Sequence, residues 1–155
     1  DVLVVPTANP DQIGLFQQGK LDAVWTVEPW VSRLELEAAG KIFLEQTDAV
    51  TTVLVAGVKL LKTHPELAEK FRAAHAELTA WMGIHPDEAR ELVRAGLSAE
   101  MKREMPAAIV TGAWRRLRFT DQVSPVQFAA LVADARSVGF LRDAIPLDRL
   151  FSRKP

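Results

Sequence analysis

The stretch Gly19-Lys20-Leu21-Asp22-Ala23-Val24-Trp25-Thr26-Val27-Glu28-Pro29-Trp30 holds the residues of this chain best suited to chemistry. It predicts a tight turn at Gly19, a buried strand over Leu21 to Val27, and a helix opened by Glu28 and Pro29. In an open α/β sheet, small molecules sit outside the carboxyl ends of strands, at helix N-termini where backbone N–H groups are free. Two indoles (Trp25 and Trp30), the Glu28 carboxylate and Pro29 gathered at that point form a compact recognition site for a small molecule. Each also has a plainer reading. Trp25 suits a packed core equally well, and Glu28 suits a first helical turn, where an acid complements the dipole.

Other chemistry is sparse. There is no cysteine, which excludes disulfides, thiolate metal sites and cysteine nucleophiles together. The histidines His64, His75 and His85 show neither HExxH spacing nor a second ligand at i+4, so no metal site is expected. No Gly-x-Ser-x-Gly elbow, dinucleotide fingerprint or P-loop occurs, and neither a catalytic residue nor a cofactor is expected. Arg115-Arg116-Leu117-Arg118, beside Trp114, is the only basic run, and it suits a solvated helix end. With 19 basic against 20 acidic residues and a net charge of −1, the chain lacks the electrostatic footprint of a nucleic-acid binder. Its 48% hydrophobic content is enough for a core. No apolar run approaches the roughly 18 residues of a membrane helix.

The elements that must position the motif follow from periodicity and punctuation. Val2-Leu3-Val4-Val5 predicts a first buried strand. Asn9 as N-cap with Pro10 behind it predicts a helix to Gln18, ended by Gly19. With the Leu21–Val27 strand this makes a βαβ unit. The Glu28-Pro29 helix carries Trp30, Leu34 and Ala38 at helical spacing and stops at Gly40. Ile42 to Leu44 and Thr51 to Val58 predict two further strands.

After residue 63 the pattern is helical. Thr63 and Glu66 have capping-box spacing, followed by an apolar face of Leu67, Phe71, Ala74, Leu78 and Trp81. His85-Pro86 starts a helix to about Ala95, Ser98 caps a short one, and Ala108 to Leu117 continues after Pro106. Ser124-Pro125 starts a last helix closed by Gly139. The tail from Ile145 to Phe151 carries apolar residues that suit docking on a surface. About four short strands are too few for the helices that follow, since a parallel sheet needs several strands covered on both faces. The chain also starts at Asp1, directly before an apolar run and without a leader. A processed or excised piece of a longer protein is the expectation.

Gly-x-hydrophobic-Asp-Ala, a short strand and then Glu-Pro-Trp resembles the substrate-binding receptors of ABC importers for nitrate, taurine and aliphatic sulfonates. Further stretches resemble the same family in the same order. These are Asn9-Pro10-Asp11 to Gly19, Thr51 to Ala56, Leu60 to Leu67, the Trp81 to Ala89 segment with His85-Pro86-Asp87-Glu88-Ala89, and Ser124 to Gly139. The resemblance implies an α/β fold of the type II periplasmic-binding-protein kind, helix-rich after residue 63, of which this chain is the C-terminal part. Residues 1–50 complete the second of two lobes. Residues 51–155 supply a hinge return strand and helices packed on the first lobe.

The function so implied is a non-enzymatic receptor that closes on a small organic or anionic solute. Trp25 and Trp30 supply apolar walls, Glu28 and Pro29 the helix mouth, and Thr51 and Thr52 hydroxyls at the hinge. The partners are the solute and an ABC permease, with no nucleic acid, and the full-length receptor is monomeric. Its place is the periplasm, or a lipid anchor outside the cytoplasm. Two alternatives share the fold: an enzyme of the thiamine-precursor-synthase type, which needs reactive His or Cys near the cleft, and a ligand-sensing regulatory domain.

Overall fold

Proline sets four of the helix starts. A pyrrolidine ring fixes φ near the helical value and removes an N–H that has no partner in the first turn anyway. In a computed structural model describing residues 1–142, Leu147 and Phe151, the helices are α1 (Asn9–Gln17), α2 (Trp30–Ala38), α3 (Val58–Thr63), α4 (Pro65–Ile84), α5 (Pro86–Met101), α6 (Ala107–Arg116) and α7 (Pro125–Ser137). Pro10, Pro65, Pro86 and Pro125 open α1, α4, α5 and α7. Gly19 and Gly139, at φ +67° and +78°, follow α1 and α7 in the left-handed region that halts a helix.

The expected sheet is absent among the described residues. The described residues are helix-rich and contain no strand, in place of the α/β class expected from the sequence. Residues 2–5, 21–27, 42–44 and 51–57 run without strand pairing, and Val58, expected to end a strand, begins α3. The reason is physical. A strand exists only beside a neighbour that takes its backbone hydrogen bonds, and these segments have none among the described residues. Their side chains remain in solvent: Val2, Leu3 and Val4 are 89, 87 and 81% exposed, and Phe43 is fully exposed.

The chain divides into two compact units. The first, Asp1–Glu45 with His85–Arg118, holds α1, α2, α5 and α6. In it α1 packs on α2, and α6 packs on both α2 and α5. Its core is Met105, Ile109 and Val110, with Leu97 and Met101 packed against them. Ser98 ties this core together. Its hydroxyl donates to the Arg94 carbonyl at 2.7 Å and accepts from the Met105 N–H at 2.9 Å. Ser98 therefore lies inside one continuous α5 rather than capping a separate short helix. Asn9 likewise does not cap α1. Ala8 is the N-cap, and the Asn9 Oδ1 accepts instead from Gln12 Nε2 at 3.0 Å.

The second unit, Gln46–Ile84 with the described residues from Phe119 onward, holds α3, α4 and α7. Thr63 ends α3, and its hydroxyl donates to the Lys59 carbonyl at 2.9 Å, so the expected capping box with Glu66 is not made. The periodic face of α4 forms as a helix, but Leu67, Phe71 and Leu78 stay more than half exposed. The Gln127 amide donates to the Asp48 carbonyl at 3.3 Å. Of the expected docking tail, the Phe151 ring meets Phe128 edge-on at 5.3 Å; Ile145 and Pro146 lie outside the described residues.

Candidate functional site

The Glu28-Pro29-Trp30 turn is built by its own backbone first. The Trp30 N–H donates to the Val27 carbonyl at 2.9 Å, and the Arg33 N–H to the Pro29 carbonyl at 3.0 Å. Pro29 is the N-cap of α2 and offers no side-chain bond. Glu28 supplies one from the residue before. Its Oε2 accepts from the Ser32 N–H at 3.1 Å, satisfying a first-turn donor that the helix itself leaves without a partner.

The other carboxylate oxygen looks outward to α6. Glu28 Oε1 accepts from the Ser32 hydroxyl at 3.1 Å and from Arg116 Nη1 at 2.8 Å. Arg116 Nη2 donates to Glu35 Oε2 at 2.9 Å. Glu28, Ser32 and Glu35 stand at i, i+4 and i+7, a single stripe, and that stripe meets the Gly112–Arg116 face of α6. The two helices approach closely where Ser32 faces Gly112, since a Cβ on Gly112 would lie 2.6 Å from the Ser32 hydroxyl. The Glu28 side chain is only 4% exposed. Burial opposes the charge on Arg116, but its hydrogen bonds and attraction to Glu28 and Glu35 outweigh that and raise the guanidinium pKa above its usual value. An open groove of about 540 Å³ runs beside this contact, lined by Ser32, Glu35, Leu36, Thr111, Gly112 and Arg115 among others.

The indoles differ in setting. Trp30 is half-buried under the Arg33 guanidinium, which lies 4.9 Å from its ring centroid. Arg33 is held there by a two-pronged ion pair to Glu37, at 2.9 and 2.8 Å. Trp25 is 69% exposed, so it is not the core residue that one reading of the sequence allowed. Beside it, the Thr26 hydroxyl is buried without a hydrogen-bond partner among the described residues.

The structure thus keeps Trp25, Glu28, Pro29 and Trp30 on one segment of the first unit, and Thr51 and Thr52 stand exposed in the second. Glu28 takes the helix-capping role that its position allowed, with both oxygens engaged. Sequence reading missed Ser32, Gly112 and Arg116. The Glu28–Ser32–Glu35 spacing was a usable signal for a polar stripe. Nothing local to Arg116, read as part of a solvated helix end, pointed to an acid 88 residues away. Among the described residues no cluster of His, Asp and Glu could hold a metal ion.

Comparison with known proteins places the chain in a family. The model of the NMT1-like family matches residues 1–97, a stretch that includes α1, the Glu-Pro-Trp turn and α2. No curated protein and no solved structure matches the chain. The match covers well over half of the sequence, and the chain belongs to the NMT1-like family.

Proposed function

We propose that this chain is part of a solute-binding receptor of an ABC importer, which closes two lobes on a small organic or anionic molecule. The NMT1-like family is one of substrate-binding proteins, and this supports a solute-binding role. The observation that carries the site is Trp25, a 69% exposed indole on the segment that leads into a turn fixed by a buried carboxylate. An aromatic surface held in solvent beside a rigid helix start is suited to stack on or enclose a ligand. In this reading Trp25 and Trp30 are the apolar walls, Glu28 and Pro29 set the mouth of the helix, and Thr51 and Thr52 contribute hydroxyls at the hinge.

The exposed apolar segments support the two-lobed architecture. Val2 to Val5, Phe43 and Val55 have strand-forming side chains in solvent, as expected of strands whose sheet partners belong to the rest of a type II binding-protein fold. On this assignment residues 1–50 belong to the second lobe, and residues 51–155 supply the hinge return strand and helices packing on the first, α5 and α6 standing in one compact unit with residues 1–45. The receptor acts outside the cytoplasm, in the periplasm or on a lipid anchor, and delivers its solute to a permease as a monomer. No helix among the described residues is long and apolar enough to cross a membrane.

The test is calorimetric titration of the intact protein with nitrate, taurine and a short alkanesulfonate, followed in parallel by tryptophan fluorescence. The reading requires saturable binding of at least one of them, with a fluorescence change that Trp25→Ala removes. Absence of saturable binding across the three, in protein that is folded by circular dichroism, overturns the sulfonate- and nitrate-type assignment.

A further inference from the structure

We infer that Arg116 is a positioning residue for the Glu-Pro-Trp turn: it sets the place of Trp30 through Glu28, without touching the indole itself. The weight of this for ligand binding rests on the solute-binding reading above. The structural claim rests on the contacts alone.

Glu28 is the link. Its side chain is 4% exposed and its carboxylate has one cation, Arg116, within bonding distance among the described residues. An anion buried to that degree is tolerated only when paired and hydrogen-bonded. Without Arg116, Glu28 is left buried without its cation and must turn toward water, which loosens its bond to the Ser32 N–H. Trp30 is the first residue of α2 and lies between Glu28 and the Ser32 N–H that the Glu28 carboxylate holds. Loosening that bond therefore loosens the turn that carries the indole.

The chemistry calls for arginine specifically. One nitrogen of the guanidinium serves Glu28 and the other serves Glu35, at 2.8 and 2.9 Å, so a single planar group joins the start of α2 to its second turn. A lysine ammonium is a point charge and does not span both carboxylates in that geometry. Arg116 also lies outside residues 1–97, the part of the chain that the family model matches. The turn inside the family's stretch is thus held by a residue beyond it.

The experiment uses the full chain labelled with 5-fluorotryptophan, with the Trp30 fluorine resonance assigned by Trp30→Phe and no solute present. Arg116→Gln and Glu28→Gln should each move the Trp30 resonance by more than its linewidth, and Arg116→Lys should fail to restore it. The double variant Glu28→Gln/Arg116→Gln should move it little further than the single variants do, because all three lose the same contact. Ile109→Val, a core change at a residue 1% exposed, is the control for general destabilisation and should leave the resonance in place. If Arg116→Gln does not fold, Glu28→Gln decides, because it removes the buried charge rather than stranding it. A Trp30 resonance unmoved in folded Glu28→Gln, or moved equally by Ile109→Val, overturns the proposal. That result leaves solute binding standing, just as a failed solute titration leaves this contact standing.

Discussion

Arg116 donates to Glu28 at 2.8 Å across 88 residues of chain, and the two partners are unequally buried, the arginine side chain 26% exposed and the glutamate 4%. The acid is inside and the cation stands at the rim. Such a pair contributes modestly while intact, but losing the cation alone leaves the acid uncompensated, a loss of about 3–5 kcal/mol for fully buried pairs. The partial exposure of Arg116 lowers that figure here. Beside this pair α2 and α6 approach closely where Ser32 faces Gly112.

That closeness gives the first prediction. Gly112→Ala places a Cβ 2.6 Å from the Ser32 hydroxyl and 3.3 Å from the Ser32 Cβ. The hydroxyl is held by Glu28 and cannot simply rotate away. Overpacking of this kind costs about 1–3 kcal/mol, and the better helix propensity of Ala returns about 1 kcal/mol. Urea melts should show a net loss in the wild-type background. In a Ser32→Ala background, where the hydroxyl is gone, the same change should be close to neutral. Equal effects in both backgrounds count against the Ser32–Gly112 contact.

A second prediction has the opposite sign. Ala39 ends α2 in the left-handed region, at φ 53° and ψ 27°. That conformation costs an L-residue roughly 1–2 kcal/mol, while glycine adopts it freely and loses about 0.5–1 kcal/mol in chain entropy. Ala39→Gly should therefore raise the melting temperature slightly, a gain of up to about 1 kcal/mol. The neighbouring Gly40 is the contrast: a Cβ there would lie 3.1 Å from the Leu34 carbonyl oxygen, and Gly40→Ala should lower the melting temperature.

How much of this was legible in the sequence depended on whether the cause was local. Pro10, Pro86 and Pro125 announce their helices, and Gly19 and Gly139 their ends, because φ restrictions act within a residue or two. Ser98 misled. A serine before a helical pattern is an N-cap by preference, yet here tertiary contact holds it inside α5, bonded to Arg94 and Met105. The apolar runs at Val2–Val5 and Thr51–Val58 have strand chemistry, but pairing is a property of a neighbour and not of the run itself. At the site, the motif from Gly19 to Trp30 was visible as a unit. The role of Glu28 was visible as two alternatives, and Arg116, the cation that pairs with its other carboxylate oxygen, was too distant in sequence to name.

Acid should act through Glu37. The hydrogen bond from Arg33, helped by the positive charge of that guanidinium, outweighs partial burial and holds the Glu37 carboxyl below its ordinary value of 4.5. A folded-state pKa lower than the unfolded one means that the unfolded chain binds the proton more readily. The pair's contribution is therefore present above the ordinary carboxylate pKa and is lost as pH falls through the folded value. Glu37→Gln should be less stable than wild type at pH 7, and the gap should begin to narrow as pH falls past the ordinary value of 4.5 and close once it is below the lowered folded value. A gap independent of pH between 7 and 3 shows that the Arg33–Glu37 charge pair contributes nothing, and the Trp30–Arg33 stacking then stands without it.

The two indoles should separate binding from stability. Trp25 is 69% exposed, and surface substitutions of that kind alter stability by no more than about 0.5 kcal/mol. If Trp25 is a wall of the solute site, Trp25→Ala should weaken solute binding by about 2 kcal/mol, as at binding hot spots, with an unchanged melting curve. Trp30 is half-buried beneath Arg33, so Trp30→Ala should lose a similar amount of binding together with the stacking, worth about 0.5–2 kcal/mol of stability. Titration calorimetry paired with thermal melts of the intact protein resolves the four numbers. An unchanged affinity in Trp25→Ala removes that indole from the site. A collapsed melting temperature in Trp30→Ala, with the surviving folded protein binding as well as wild type, makes Trp30 a packing residue and leaves the turn without a ligand-facing aromatic.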